Sequence, residues 1–189
     1  MIIGYSVEGS TDRAVVRGLR DRWYPDAQLL EGRFRGSTHE SLRREYRKIC
    51  DEFVLKGVDV MVFLTDANEG EWREVQKNER ATFPSGCLDK TIHGVADRNA
   101  ECWLTAEPGW LGKRLGIEPQ VFRCEDPKGV FENALGISRD DKKEKERAQL
   151  VVDAPLRSWL ANRSFEDFYQ QVRHHSKQHG CTVENLRES

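Results

Sequence analysis

Val58-Asp-Val-Met-Val-Phe-Leu-Thr65 is a nearly continuous apolar run rich in β-branched residues, and it stops at Asp66-Ala-Asn-Glu-Gly-Glu71. A strand with one wet face alternates apolar and polar residues. An unbroken run suits a strand covered on both faces, as in a parallel sheet. Upstream, Ser37-Thr-His-Glu40 has capping-box form, and Leu42, Tyr46, Ile49, Cys50 and Phe53 fall on one helical stripe. The spacing predicts a helix over 38–56, stopped by Gly57. Residues 1–7 read as a first strand ending at Glu8-Gly9-Ser10-Thr11. Val16, Leu19 and Trp23 then predict a helix over about 11–24, with Ser10 or Thr11 as its cap and Pro25 at its end. Ala27-Gln-Leu-Leu30 fits a short second strand. Downstream come a polar helix at about 71–80, a fourth strand at Thr91-Ile-His-Gly-Val-Ala96, and a helix start over Asp97–Leu104 with Asp97 as cap.

Alternation of strand and helix over about 110 residues argues for an α/β fold. The expectation is a central, mostly parallel sheet of four to five strands flanked by helices, with right-handed crossovers. Gln120-Val-Phe-Arg123 is a candidate edge strand. Beyond it, Ser138-Arg-Asp-Asp141 opens a charged helix to about Val152, whose run from Arg139 to Arg147 reads as a solvated face. Ser164 is expected to cap a last helix with Phe165, Phe168, Tyr169 and Val172 on one side. The organisation read from this is an α/β domain over 1–125 and a helical extension over 126–189 packing on it. Trp103, Trp110 and Trp159 read as packing residues.

The chain has 189 residues, 30 Lys plus Arg against 32 Asp plus Glu, and a net charge near −2. Near-neutrality argues against bulk electrostatic binding to nucleic acid but leaves a local patch open. No apolar run approaches the roughly 20 residues of a spanning helix, which excludes a helical membrane protein. Met1-Ile-Ile-Gly-Tyr5 lacks the basic flank of a signal peptide. The five cysteines are odd in number and contain no CxxC pair, so a disulfide scaffold is not expected and a cytoplasmic setting is. His174, His175, His179 and Cys181 have metal-ligand types, but no second cluster completes a zinc site. Neither GxGxxG nor a P-loop is present.

In open α/β sheets, sites gather at the carboxyl ends of the strands. Three strand ends here carry acids: Glu8; Asp66 with Asn68, Glu69 and Glu71; and Asp97 with Glu101. Carboxylates converging from separate strands repel unless a cation lies between them. Hard oxygen ligands of this kind suit Mg2+ or Mn2+ and phosphoryl chemistry. Each acid also has a plainer reading, since acids near helix starts are favoured by the dipole and by turn geometry. Arg33, Arg35, Arg43, Arg44, Arg47 and Lys48 stand against Glu40 and Glu45 alone. With Arg13, the arginines at 35, 43, 44 and 47 are candidate phosphate contacts, or else the solvent face of the 38–56 helix.

Val7-Glu8-Gly9 after a first strand, with Val62-Phe-Leu-Thr-Asp66-Ala-Asn68 after a later one, resembles the Toprim domain of topoisomerases, DnaG-type primases and OLD-family nucleases. Gly94-Val-Ala-Asp-Arg-Asn-Ala-Glu101-Cys-Trp-Leu-Thr-Ala-Glu107 is similar to a motif of a small Toprim-like family often found beside an ATPase, in settings suggestive of phage defence. The resemblance covers roughly residues 1–110. It implies a Toprim/Rossmann-like fold and a Mg2+- or Mn2+-dependent nuclease, with nucleic acid as substrate and an ATPase as partner. Glu8 would be a ligand or general base and Asp66 the principal ligand, with Asn68, Glu69 and Glu101 as further ligands. Asn68 replaces the second Asp of the Asp-x-Asp pattern, which removes a negative charge. That departure keeps a second reading open, a non-catalytic Toprim-like subunit docking on an ATPase. A small-molecule phosphohydrolase is a third.

Overall fold

A computed structural model describes residues 1–32, 39–123, 127–135 and 141–187. In chain order the elements are β1 (Ile2–Val7), α1 (Ser10–Trp23), β2 (Gln28–Glu31), α2 (His39–Leu55), β3 (Val60–Asp66), α3 (Trp72–Arg80), β4 (Thr91–Ala96), α4 (Glu101–Leu104), α5 (Pro108–Leu115), α6 (Pro127–Leu135), α7 (Asp141–Asp153), α8 (Leu156–Trp159) and α9 (Arg163–Gln178). The fold is α/β. Four parallel strands lie in the order β2-β1-β3-β4, with helices on both faces.

Period-two alternation divides the central strands cleanly. Ile3, Tyr5, Val7, Val60, Val62, Leu64, Ile92 and Ala96 face the larger core, together with Val15, Val16 and Leu19 of α1, Val151 of α7 and Phe165, Phe168 and Tyr169 of α9. Met61 and Phe63 face the other way, onto Tyr46, Ile49, Cys50 and Phe53 of α2. Every residue of β3 is buried, which is why its sequence does not alternate. Gly57, at φ +67, lets the chain leave α2 in a left-handed turn and enter β3.

Between α1 and α7 the backbones approach closely at Gly18. A Cβ there would lie 2.5 Å from both the Ala148 carbonyl oxygen and Val151 Cβ. Gly18→Ala therefore forces the two helices apart and is expected to destabilise by about 1–3 kcal/mol. Chemical denaturation checks this, and an unchanged midpoint would contradict the packing.

Several local expectations need correction. Pro119–Arg123 is a 3-10 turn and not an edge strand. Pro119 brings no N–H to a ladder, and the Val121 N–H is taken by the Glu118 carbonyl at 3.1 Å. The cap of α1 is Gly9, and the Asp12 carboxylate accepts from the Gly9 N–H at 2.8 Å, so neither Ser10 nor Thr11 caps the helix. Asp97 does not cap α4: residues 97–100 form a turn closed by the Asn99 N–H on the Asp97 carbonyl, and Ala100 holds the cap position. Asn162 caps α9 by accepting from the Ser164 N–H. Ser164 Oγ is thereby placed to accept from Trp103 Nε1 at 2.8 Å and from the Asp97 N–H at 2.9 Å. The Ser37 cap proposed for α2 lies outside the described residues.

The charged run before Arg147 is only partly solvated. Lys145 and Glu146 are exposed, but Glu144 and Arg147 are buried against α1. Glu144 pairs with Arg13 at 3.3 Å and with Arg17. Trp103 and Trp159 are fully buried, and Trp110 packs at the edge of the same core. Among the described residues no helix is long and apolar enough to cross a membrane.

Candidate functional site

The register sets the site. Val7 pairs with Leu64, so Glu8 and Asp66 leave the sheet at the same edge on neighbouring strands. Asp66 is itself paired with Ala96, which brings the turn after β4 alongside. There the Ala100 N–H donates to Asp66 Oδ1 at 3.0 Å, and Glu101 follows immediately as the first residue of α4. Asp12, in the first turn of α1, points into the same space. The cavity holds about 160 Å³ and is lined by Glu8, Gly9, Ser10, Thr11, Asp12, Asp66 and Glu101, with Lys128 and Glu132 of α6.

Five carboxyl groups thus line one recess, and three of their residues are buried: Asp12, Asp66 and Glu101. Burial, followed by the charges of Asp12, Glu101 and Glu8, pushes the Asp66 carboxyl up to about 9, and Lys128 only partly opposes this. Asp12 is pushed up to about 7, chiefly by burial and then by Glu101 and Glu8. The Gly9 N–H and Lys128 pull it the other way. Burial works against the charge of Lys128, yet Glu101, Asp66, Glu132 and Asp12 outweigh it and raise its pKa, so the ammonium is a firm cation at this rim.

The site residues expected from the sequence divide into two groups. Glu8, Asp66 and Glu101 meet in the cavity. Asn68 and Glu69 do not line it. They border a separate, wider depression with Gly70, Asp97, Arg98 and Asn99. Asn68 sits at φ +53, its N–H bonds the Arg98 carbonyl at 2.8 Å, and its Nδ2 turns back to the Asp66 carbonyl at 3.4 Å. A left-handed turn conformation, which Asn tolerates, thus carries the side chain out of the acid cluster. Glu71 caps α3 by accepting from the Glu74 N–H at 3.0 Å.

Among the arginines, Arg13 bridges Glu31 at 2.9 Å and Glu144, so its guanidinium ties β2 and α7 to α1. Arg44 and Arg47 are exposed on α2, away from the cavity lining. Arg35 and the Arg43 side chain lie outside the described residues. His175 is buried and its pKa is lowered by burial and by His174 and His179.

Sequence reasoning missed Asp12, Lys128 and Glu132. Glu8-Gly-Ser-Thr-Asp12 puts a second acid just past the first strand end, and Lys128 and Glu132 are four apart on one helix face. The first was a visible signal; the second shows only a shared helix face and not where α6 docks. No family model, no curated protein and no solved structure matches the chain.

The donor chemistry fits a hard divalent cation: the side-chain donors are the oxygens of carboxyl groups and of Ser10 and Thr11, beside the Lys128 ammonium, and Asp66 and Asp12 have raised pKa values, so that a cation could replace their protons. The side chains as they stand are not a closed ligand set. Among the described residues, no group of three or more His, Cys, Asp or Glu is arranged to hold a metal ion. One oxygen of Asp66 is taken by Ala100 and one of Asp12 by Gly9, so each offers its second oxygen. Ligation would draw these oxygens inward as protons leave.

Proposed function

We propose that the chain is a Toprim-like, Mg2+- or Mn2+-dependent hydrolase of phosphodiesters, a nuclease in its simplest form. One observation carries this reading: Glu8, Asp12, Asp66 and Glu101 converge at the carboxyl edge of a parallel sheet, where burial and then the neighbouring acids push the Asp66 and Asp12 carboxyls well up from their ordinary range. A fold keeps such a repulsive cluster at a cost in stability, and a cation is the usual relief.

Glu8, Asp12 and Asp66, with Glu101 behind them, are the groups that would hold the cation. When bound, it would supply Lewis acidity toward a phosphate oxygen and toward water. The protein's own contributions are these. Asp66 is oriented through Oδ1 by the Ala100 N–H, which leaves its other oxygen for the site. Asp12 is fixed in the same way through the Gly9 N–H. Lys128 presents an ammonium at the rim, suited to a phosphate oxygen. Glu8, at the end of β1 in the cavity lining, is assigned as ligand or as the base toward attacking water. Asn68 and Glu69 have no ligand role in this reading, so the missing second acid of the Asp-x-Asp pattern is compensated by Asp12.

Incubation with single- and double-stranded DNA and with RNA in Mn2+ tests the reading. Wild type should cleave one of them, and Glu8→Gln and Asp66→Asn should each lose at least about a hundredfold of that rate. Equal cleavage by the variants would reject it. Tight Mn2+ binding without cleavage of any polynucleotide would favour the non-catalytic subunit instead.

A further inference from the structure

We propose that Arg147 is a positioning residue of the acid cavity, a clamp from the helical extension that fixes the Gly9–Asp12 turn and thereby aims Glu8 and Asp12. This rests on the reading of the cavity as a cation site.

The turn is the first of α1. Its cap is a glycine, the residue with the most backbone freedom, and its internal ties are the Gly9 N–H on the Asp12 carboxylate and the Arg13 N–H on the Gly9 carbonyl at 3.1 Å. Arg147 supplies an external one. Its side chain is 1% exposed, and its Nη1 donates to Ser10 Oγ at 3.1 Å and to Thr11 Oγ1 at 3.5 Å. The guanidinium lies over the Phe131 ring of α6, 5.5 Å from its centroid. Burial lowers its pKa below the usual guanidinium value, and Glu101, Glu132 and Glu144 only partly oppose this.

Bringing a guanidinium this close requires α7 to lie directly on α1, which the close approach at Gly18 beside Ala148 permits. Ser10 and Thr11 line the cavity between Glu8 and Asp12, so a displacement of their hydroxyls moves both acids. The site is therefore completed by α6 and α7 as well as by the sheet. Residues that support ligands from behind in this way tune metal affinity by about ten- to a hundredfold.

The test uses the full chain with Arg147→Met, Arg147→Lys and a Ser10→Ala/Thr11→Val pair. Val151→Ala, on the same helix, is the control for mere destabilisation. Mn2+ affinity is read by calorimetry. Arg147→Met should weaken it at least about tenfold and Arg147→Lys less, with Val151→Ala unchanged. In the Ser10→Ala/Thr11→Val background, Arg147→Met should add less than about twofold, because the clamp acts through those hydroxyls. Additive effects, or an Arg147 variant that binds like wild type, would overturn the proposal.

Hydrogen exchange reads the same turn without metal. The amides of Gly9 to Asp12 should exchange about tenfold faster in Arg147→Met than in Val151→Ala of matched stability. If wild type binds no Mn2+, the hydrolase reading fails on its own, and unchanged exchange would still sink the clamp. Should Arg147→Met not fold, Arg147→Lys carries both measurements.

Discussion

Asp66→Asn should melt higher than wild type in the absence of metal, and it should no longer take up a divalent cation. Asp66 holds its proton in the folded chain up to about 9, whereas an ordinary aspartate releases it near 3.8. Between those values the folded state binds more protons than the unfolded one, so stability falls as pH rises through this window. Each pH unit removes about 1.4 kcal/mol per proton, which at pH 7 amounts to something on the order of 4 kcal/mol from this group. Asn keeps an acceptor for the Ala100 N–H and brings no charge into a recess already crowded by Asp12, Glu101 and Glu8.

For a chain of this size the expected rise in Tm at neutral pH is on the order of 10 °C. Thermal melts from pH 5 to 8.5 check it. Wild type should lose stability steadily with pH, Asp12 contributing below about 7, and the variant should lose less. Wild-type stability that is flat or rises over that range would contradict the electrostatic account of the cavity.

Trp103→Ala should lose about 3–5 kcal/mol, the usual result of deleting a large buried aromatic. Its ring has no exposure, lies edge-on to Phe165 at 5.3 Å and packs against Phe168 at 5.5 Å. The indole N–H donates to Ser164 Oγ, which also receives the Asp97 N–H. Removing the ring therefore opens a cavity and loosens the tie between α9 and the turn after β4. Urea unfolding measures it: the midpoint should drop with the slope preserved. Trp103→Phe should retain about half of the loss, since it keeps ring contacts and gives up the hydrogen bond. A drop of less than about 1 kcal/mol would mean that α9 does not depend on this contact.

Much of the architecture was readable because it follows from local chemistry. A nearly continuous, β-branched apolar run suits a strand covered on both faces, and β3 is buried along its whole length. The stripe from Tyr46 to Phe53 could only be the inner face of α2. Glu8, Asp66 and Glu101 were legible because parallel strands deliver their carboxyl ends to one edge.

What escaped depends on contacts between segments distant in sequence. Lys128 and Glu132 reach the cavity only because α6 docks there, and nothing in their neighbours announces that. Arg147 sits in a run of charges that resembles any solvated helix face, yet the close approach at Gly18 buries it. Asn68 looked like a ligand because it follows Asp66 by two. A single left-handed φ sends it elsewhere, and the backbone conformation of one turn residue is beyond what spacing can reveal. The Gln120–Arg123 segment was misjudged from its apolar pair, where Pro119 was the better guide.

The central claim is that the crowded acids exchange protons for a divalent cation, and calorimetry of Mn2+ binding in two buffers of different ionisation heat tests it most directly. At pH 7 Asp66 is protonated and Asp12 about half so. Binding should therefore release about one to two protons per ion, and Asp66→Asn should give no binding heat in either buffer. Absence of binding, or binding that releases no protons, would contradict the account.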